Sequence, residues 1–187
     1  MVGNEGKKMV GNEDLRALVR TIPDYPKPGI QFRDVSTLLL DGPAIKKTID
    51  RMIALVNPDD FDLIAGIEAR GFIVSSAMSY ALEKGKVMLR KPGKLPGQSV
   101  SIDYALEYGT DQIEMHVDAV QPGQRILLVD DLLATGGTAM AGAQLLRGQG
   151  AMVTQALFIV DLPDLGGGAR LEDAGIETQA LMAFEGD

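Results

Sequence analysis

The 187-residue chain predicts an α/β fold, a mostly parallel twisted sheet with helices on both faces. Two observations point to it. The apolar runs Leu63–Ile67, Ile126–Val129 and Val153–Val160 lack the polar alternation of a half-solvated strand, so they suit a sheet buried on both sides. Between such runs lie stretches with apolar residues at helical spacing, and strands that alternate with helices build parallel sheets.

MVGNE stands at residues 1–5 and again at 9–13, and we read residues 1–11 as a duplicated N-terminal extension ahead of one domain over 12–187. Asn12-Glu13-Asp14 is placed to start a helix through Leu15, Leu18 and Val19. The prolines and Gly29 of PDYPKPGIQFRD forbid a helix and impose an extended, turning segment. Asp41-Gly42-Pro43 opens a helix with Ile45, Ile49, Met52, Ile53 and Val56 on one face, which Asn57-Pro58 stops. Strand Leu63–Ile67 runs through Glu68-Ala69-Arg70-Gly71 into a helix with Phe72, Ile73, Ala77 and Tyr80 inward, closed by Gly85. After strand Val87–Leu89, residues 90–112 are rich in glycine, proline and charge and read as a long mobile loop. Strand Ile126–Val129 leads to a helix over Thr138–Arg147, stopped by Gly148 and Gly150. Strand Val153–Val160, the turn Asp164–Gly168, a helical turn at Leu171–Ala174 and strand Thr178–Met182 complete the order.

Bulk properties exclude several classes. No apolar run approaches the roughly 18 residues of a membrane span, and the N-terminus lacks a signal-peptide core. A net charge of -8 opposes wholesale binding to nucleic acid or anionic membrane, although local cations can still hold a small anion. No cysteine is present, so there is no thiolate metal site or disulfide framework, and these absences favour the cytoplasm. His116, the sole histidine, sits between Met115 and Val117 and reads as a strand residue rather than a catalyst.

Ligands of such folds sit beyond the carboxyl ends of the strands, which directs attention to Glu68–Gly71, Arg90–Leu95 and Asp130–Thr138. In the last, an apolar strand ends in Asp130 and Asp131, and the small-residue loop Ala134-Thr135-Gly136-Gly137-Thr138 opens a helix. Glycines let successive amides turn toward one point, the helix start adds positive potential, and two threonine hydroxyls add donors: a cradle for a phosphate dianion. No lysine follows the glycines, so it is not the nucleoside-triphosphatase loop. The carboxylates repel phosphate but accept hydrogen bonds from sugar hydroxyls, directly or around a divalent cation. Gly-Gly before a helix is commonly a plain turn, and paired aspartates at a strand end are often merely solvated; their conjunction points to a sugar phosphate.

VDDLLATGGT resembles the phosphoribosyl-pyrophosphate signature of type I phosphoribosyltransferases, and DYPKPGIQFRDVS, EARGF, RKPGKLP and LEYGTDQ stand around it in the order of the adenine phosphoribosyltransferases. The resemblance spans residues 12–185. It implies the type I phosphoribosyltransferase fold, with a small hood made by the N- and C-terminal segments and a flexible lid loop. It also implies transfer of ribose 5-phosphate from phosphoribosyl pyrophosphate to N9 of adenine, yielding AMP and pyrophosphate in purine salvage, with Mg2+ held mainly through substrate near Asp130 and Asp131. A cytoplasmic homodimer is the form that goes with it.

Residue by residue, Ala134–Thr138 would hold the 5-phosphate and Asp130 and Asp131 would face the ribose. Arg70 would meet pyrophosphate through its guanidinium fork, joined by Arg90, Lys91 and Lys94, with Arg90 a candidate to reach across the dimer. Glu68-Ala69 is the expected place of a non-proline cis peptide. Phe32 would stack on adenine while the backbones of Gln31 and Arg33 bond its edge; taken alone, without the resemblance, Phe32 reads as a core aromatic and the basic cluster as a solvated loop. Glu107 would be the general acid/base, brought in with Tyr108 as the lid shuts out water. Two rival readings stay open: a phosphoribosyltransferase for hypoxanthine, guanine, xanthine or orotate, and a non-catalytic phosphoribosyl-pyrophosphate sensor. The sensor would call for a basic DNA-binding extension, which the sequence lacks.

Overall fold

In the computed structural model, which describes residues 11–106 and 109–186, one helical turn, α1 (Glu13–Arg16), comes first. The repeated segment at residues 1–5 lies outside the described residues. Asn12 does not cap α1; its side-chain amide donates instead to the Leu181 carbonyl at 2.5 Å, tying the chain start to its end. The helix expected through Val19 is therefore one turn long, because Arg20 already enters β1 (Arg20–Pro23), which pairs antiparallel with β2 (Gln31–Asp34). The proline-rich link between them turns as expected: Asp24 takes a left-handed φ of 57°, accepts from the Gly29 amide at 2.7 Å, and precedes a cis Tyr25–Pro26 bond.

A short helix the sequence did not announce, α2 (Ser36–Leu40), precedes α3 (Gly42–Ala54). At α3 the expected signals operate: the Asp41 carboxylate accepts from the Ala44 amide at 2.8 Å, and Pro43 occupies the first turn. Strand β3 (Leu63–Ile67) leads to α4 (Arg70–Leu82) and β4 (Gly85–Leu89). The inward stripe of α4 differs from the expectation. It consists of Gly71, Val74, Ser75 and Met78, whereas Ile73 and Tyr80 point outward, Tyr80 with 89% of its surface exposed. Small residues let the helix lie close to the sheet, so hydrophobicity alone picked the wrong line. Nor does Gly85 close the helix; Glu83 takes the left-handed terminal position and Gly85 begins the strand.

The largest departure lies in residues 90–112. Instead of a long loop, β5 (Ser99–Leu106) and β6 (Gly109–His116) form an antiparallel hairpin, with Val100 opposite Met115 and Ile102 opposite Ile113. Their apolar residues alternate and pack onto the core, which loop residues would not do. Strand β7 (Arg125–Leu133) also runs beyond Val129, so Asp130 and Asp131 sit within a strand still paired to its neighbour. Then come α5 (Gly137–Gly148), β8 (Met152–Asp161), α6 (Gly167–Asp173) and β9 (Glu177–Ala183), α6 being longer than the turn expected at its end.

The five-stranded sheet has the order β4-β3-β7-β8-β9 and every pairing is parallel. Along β7, Leu127 and Val129 enter one core with α3 and α4, while Ile126 and Leu128 enter the other with α5, α6 and the β5–β6 hairpin. Two-sided burial accounts for the unbroken apolar runs. The β1–β2 hairpin docks on the chain end: the guanidinium groups of Arg16 and Arg33 lie 4.4 and 4.9 Å from the centre of the Phe184 ring.

Candidate active site

The carboxyl ends of β3, β4 and β7 converge on two adjoining cavities. The smaller, about 110 Å³, is walled by Asp130, Leu132, Leu133 and the loop from Ala134 into the first residues of α5. Gly136 stands at the helix start with φ +75°, and no side chain caps it. The first-turn amides, which an α-helix leaves without intrahelical acceptors, open on this cup. A Cβ on Gly136 would lie 3.1 Å from the backbone of Gly167, and one on Gly167 would lie 2.2 Å from the Ala134 carbonyl oxygen. The start of α6 thus buttresses the loop, backbone against backbone.

The larger cavity, about 290 Å³, is walled by Ile67, Glu68, Ala69, Arg70, Lys91, Asp130, Asp131, Leu132 and Thr138. Asp130, Leu132 and Thr138 belong to both, so the two hollows form one continuous depression. The Glu68–Ala69 peptide is cis, at the place expected for it. Arg70 Nε donates to Asp131 Oδ2 at 2.5 Å, and the Asp131 amide donates to Asp130 Oδ1 at 2.9 Å. Burial, and then the charge of Asp131, push the Asp130 carboxyl well above the usual carboxylate range. One of its oxygens accepts from the Asp131 amide, and the residue borders both cavities.

The basic segment after β4 is organised by three carboxylates. Glu68 accepts from Arg90 Nε and Nη2 at 3.1 and 3.2 Å and from the Lys91 amide at 3.0 Å; the Arg90 bonds hold its carboxyl below the usual range against the opposing effect of burial. Buried Glu114 accepts from the Lys94 and Leu95 amides and the Ser99 hydroxyl at 3.3–3.4 Å. Lys91 Nζ forms an ion pair with Asp111 and donates to the Tyr104 hydroxyl at 3.1 Å.

Of the sequence-predicted residues, the structure therefore gathers Arg70, Lys91, Asp130, Asp131 and Ala134–Thr138 around one depression. Arg90 is folded onto Glu68 of its own chain and donates to the Lys94 carbonyl at 3.0 Å, and Lys94 is exposed; neither lies on the cavity wall. Gln31, Phe32 and Arg33 belong to β2 and line neither cavity, with Phe32 edge-on to Tyr25 at 5.2 Å and Arg33 Nη1 donating to Thr21 at 2.7 Å. Glu107 and Tyr108 lie outside the described residues. Sequence reasoning missed Glu68, Tyr104, Asp111 and Glu114. Alternation along β5 and β6 was the signal for the last three.

A family model for the phosphoribosyl transferase domain matches residues 36–166. An adenine phosphoribosyltransferase from Bradyrhizobium sp. strain BTAi1 is 57% identical over 173 residues, 92% of this chain and 97% of that relative. Among solved structures, adenine phosphoribosyltransferase from Thermoanaerobacter pseudethanolicus is 44% identical with a TM-score of 0.87, over 92% of this chain and 99% of that one. The Saccharomyces cerevisiae counterpart, complexed with an imino-altritol bisphosphate and adenine, is 30% identical with a TM-score of 0.81, over 91% of this chain and 97% of that one. The chain belongs to the phosphoribosyltransferase family, in its adenine phosphoribosyltransferase branch.

Proposed function

We propose that the chain transfers ribose 5-phosphate from phosphoribosyl pyrophosphate to N9 of adenine, releasing AMP and pyrophosphate. The observation that carries this reading is the double cavity: an uncapped helix start for a phosphate, joined through Asp130 and Thr138 to a larger hollow lined by Arg70 and Lys91. A ligand with phosphate at one end, diphosphate at the other and a polyol between them matches that order of donors and acceptors.

In the reaction the bond from ribose C1′ to the pyrophosphate oxygen breaks, the bond from C1′ to N9 forms, and the N9 proton leaves. We assign that proton to the Glu107 carboxylate, with Tyr108 its neighbour in sequence. Ala134–Thr138 hold the 5-phosphate, Asp130 and Asp131 accept from the ribose hydroxyls, and Arg70, Lys91, Arg90 and Lys94 attract the departing charge. For Arg90 this requires exchange of Glu68 for substrate or a partner subunit. Phe32 stacks on the purine, with the Gln31 and Arg33 backbones at its edge.

The acidic pair fits a magnesium ion carried on the substrate. Asp131 is committed to Arg70, leaving Asp130 as the acidic wall, and among the described residues no cluster of three or more metal-ligating side chains would hold a cation alone. When bound, magnesium spreads the leaving group's negative charge. We take the enzyme to be a cytoplasmic homodimer; the exposed Ile73 and Tyr80 on α4 supply an apolar face that a second subunit would cover.

The test is to supply adenine, hypoxanthine, guanine, xanthine and orotate in turn with phosphoribosyl pyrophosphate and magnesium, and to follow nucleotide formation. AMP alone is the expected product. IMP or GMP without AMP would assign another base, and binding of phosphoribosyl pyrophosphate without any product would make the chain a sensor.

A further inference from the structure

Lys91 is the amine on the wall of the larger cavity, yet its charge is already answered from within the chain. On the β5–β6 stem, Tyr104 and Asp111 are direct cross-strand partners, three rungs from the hairpin end. The Tyr104 hydroxyl donates to Asp111 Oδ2 at 3.0 Å, and both face Lys91 Nζ. From the opposite side Thr138 Oγ1, part of the phosphate cup, donates to the same Tyr104 oxygen at 3.4 Å. Tyr104 is buried, whereas the Lys91 and Asp111 side chains keep 40% and 27% of their surface, so the pair can open without unpacking the core.

We infer that Asp111 is a resident counter-charge for Lys91, which the diphosphate of the substrate must displace. This rests on the phosphoribosyl-transfer reading and concerns the same site. Asp111 holds the ammonium against the hairpin. When a diphosphate enters, Lys91 exchanges one carboxylate for phosphate oxygens, and Asp111 keeps the Tyr104 hydroxyl as its donor. After transfer, Asp111 competes for Lys91 again and assists release of pyrophosphate. Asp111 is thus a positioning residue that acts through Lys91; it lowers affinity for both diphosphate ligands in order to let the product go.

The experiment compares the unmodified chain with Asp111→Asn, Lys91→Ala and the double variant, reading phosphoribosyl-pyrophosphate and pyrophosphate binding by calorimetry and the KM values for both substrates. Asp111→Asn should tighten both diphosphate ligands by about twofold to fivefold, the scale of a partly exposed ion pair, with the KM for adenine unchanged. In the Lys91→Ala background the same substitution should have no effect. Weaker or unchanged diphosphate binding in Asp111→Asn, or an equal effect with Lys91 absent, would overturn the inference. Asp111→Ala provides a second variant should Asp111→Asn fold poorly: it removes the same counter-charge and should tighten the same ligands, and weaker or unchanged binding would count against the idea. The unmodified chain separates the two levels. If it makes no AMP the functional reading fails, whereas AMP formation with unaltered variants removes only the role of Asp111.

Discussion

At Asp130, burial and the adjacent Asp131 charge favour a proton, whereas ribose hydroxyls would offer the carboxylate donors without adding charge. That contrast explains why two aspartates can line a site for a polyanion. The neighbouring glycine is just as constrained. Gly136→Ala would place a side chain at φ +75° and press on Gly167, so we expect a loss of about 1–2 kcal/mol in urea unfolding and a raised KM for phosphoribosyl pyrophosphate. Phe32→Ala should act on the other substrate, raising the KM for adenine by roughly fivefold to 100-fold while leaving phosphoribosyl-pyrophosphate binding near its original value. Asp130 and Gly136 were legible in the sequence because the motif that carries them is contiguous. Tyr104 and Asp111 were not, since they meet only across a hairpin.

Among the elements, α3 shows local signals at their clearest: Asp41 and Pro43 start it where the sequence places them. The β5–β6 hairpin shows them failing. Glycine, proline and charge in residues 91–98 resemble a loop, and reading them together with 99–112 hid the alternation of Val100, Ile102 and Tyr104. The β1–β2 hairpin yields a pH prediction. Asp34 bonds Ser36 and then Arg20, which lowers its carboxyl to about 2. A carboxyl lowered on folding stabilises the native state above its unfolded value near 4, and that contribution disappears as pH falls toward 2. Asp34→Asn should therefore be less stable than the parent at pH 7, with the difference shrinking between pH 4 and pH 2 in acid-unfolding curves.

For the molecule as a whole, the parallel order β4-β3-β7-β8-β9 brings the ends of β3, β4 and β7 to one edge, so residues far apart in sequence surround one depression. This much followed from the alternation of strands and helices, because right-handed crossovers leave few other arrangements. That Gln31, Phe32 and Arg33 line neither cavity did not follow, since docking of the terminal segments depends on long-range contacts such as Arg16 on Phe184. A net charge of -8 surrounds a pocket whose cations are local. Added salt should therefore weaken phosphoribosyl-pyrophosphate binding through screening, over a length of about 10 Å at 0.1 M, while adenine binding changes little. Calorimetric titrations at increasing sodium chloride measure both.

The proposed geometry places the phosphate in the Ala134–Thr138 cup, at the carboxyl edge of the parallel sheet, and the purine against Phe32 of the β1–β2 hairpin. A crystal structure of the chain with AMP tests it most directly. Phosphate oxygens are expected within hydrogen-bond distance of the loop amides, with the adenine ring stacked on Phe32. Phosphate bound elsewhere, or a base turned away from β2, would contradict it.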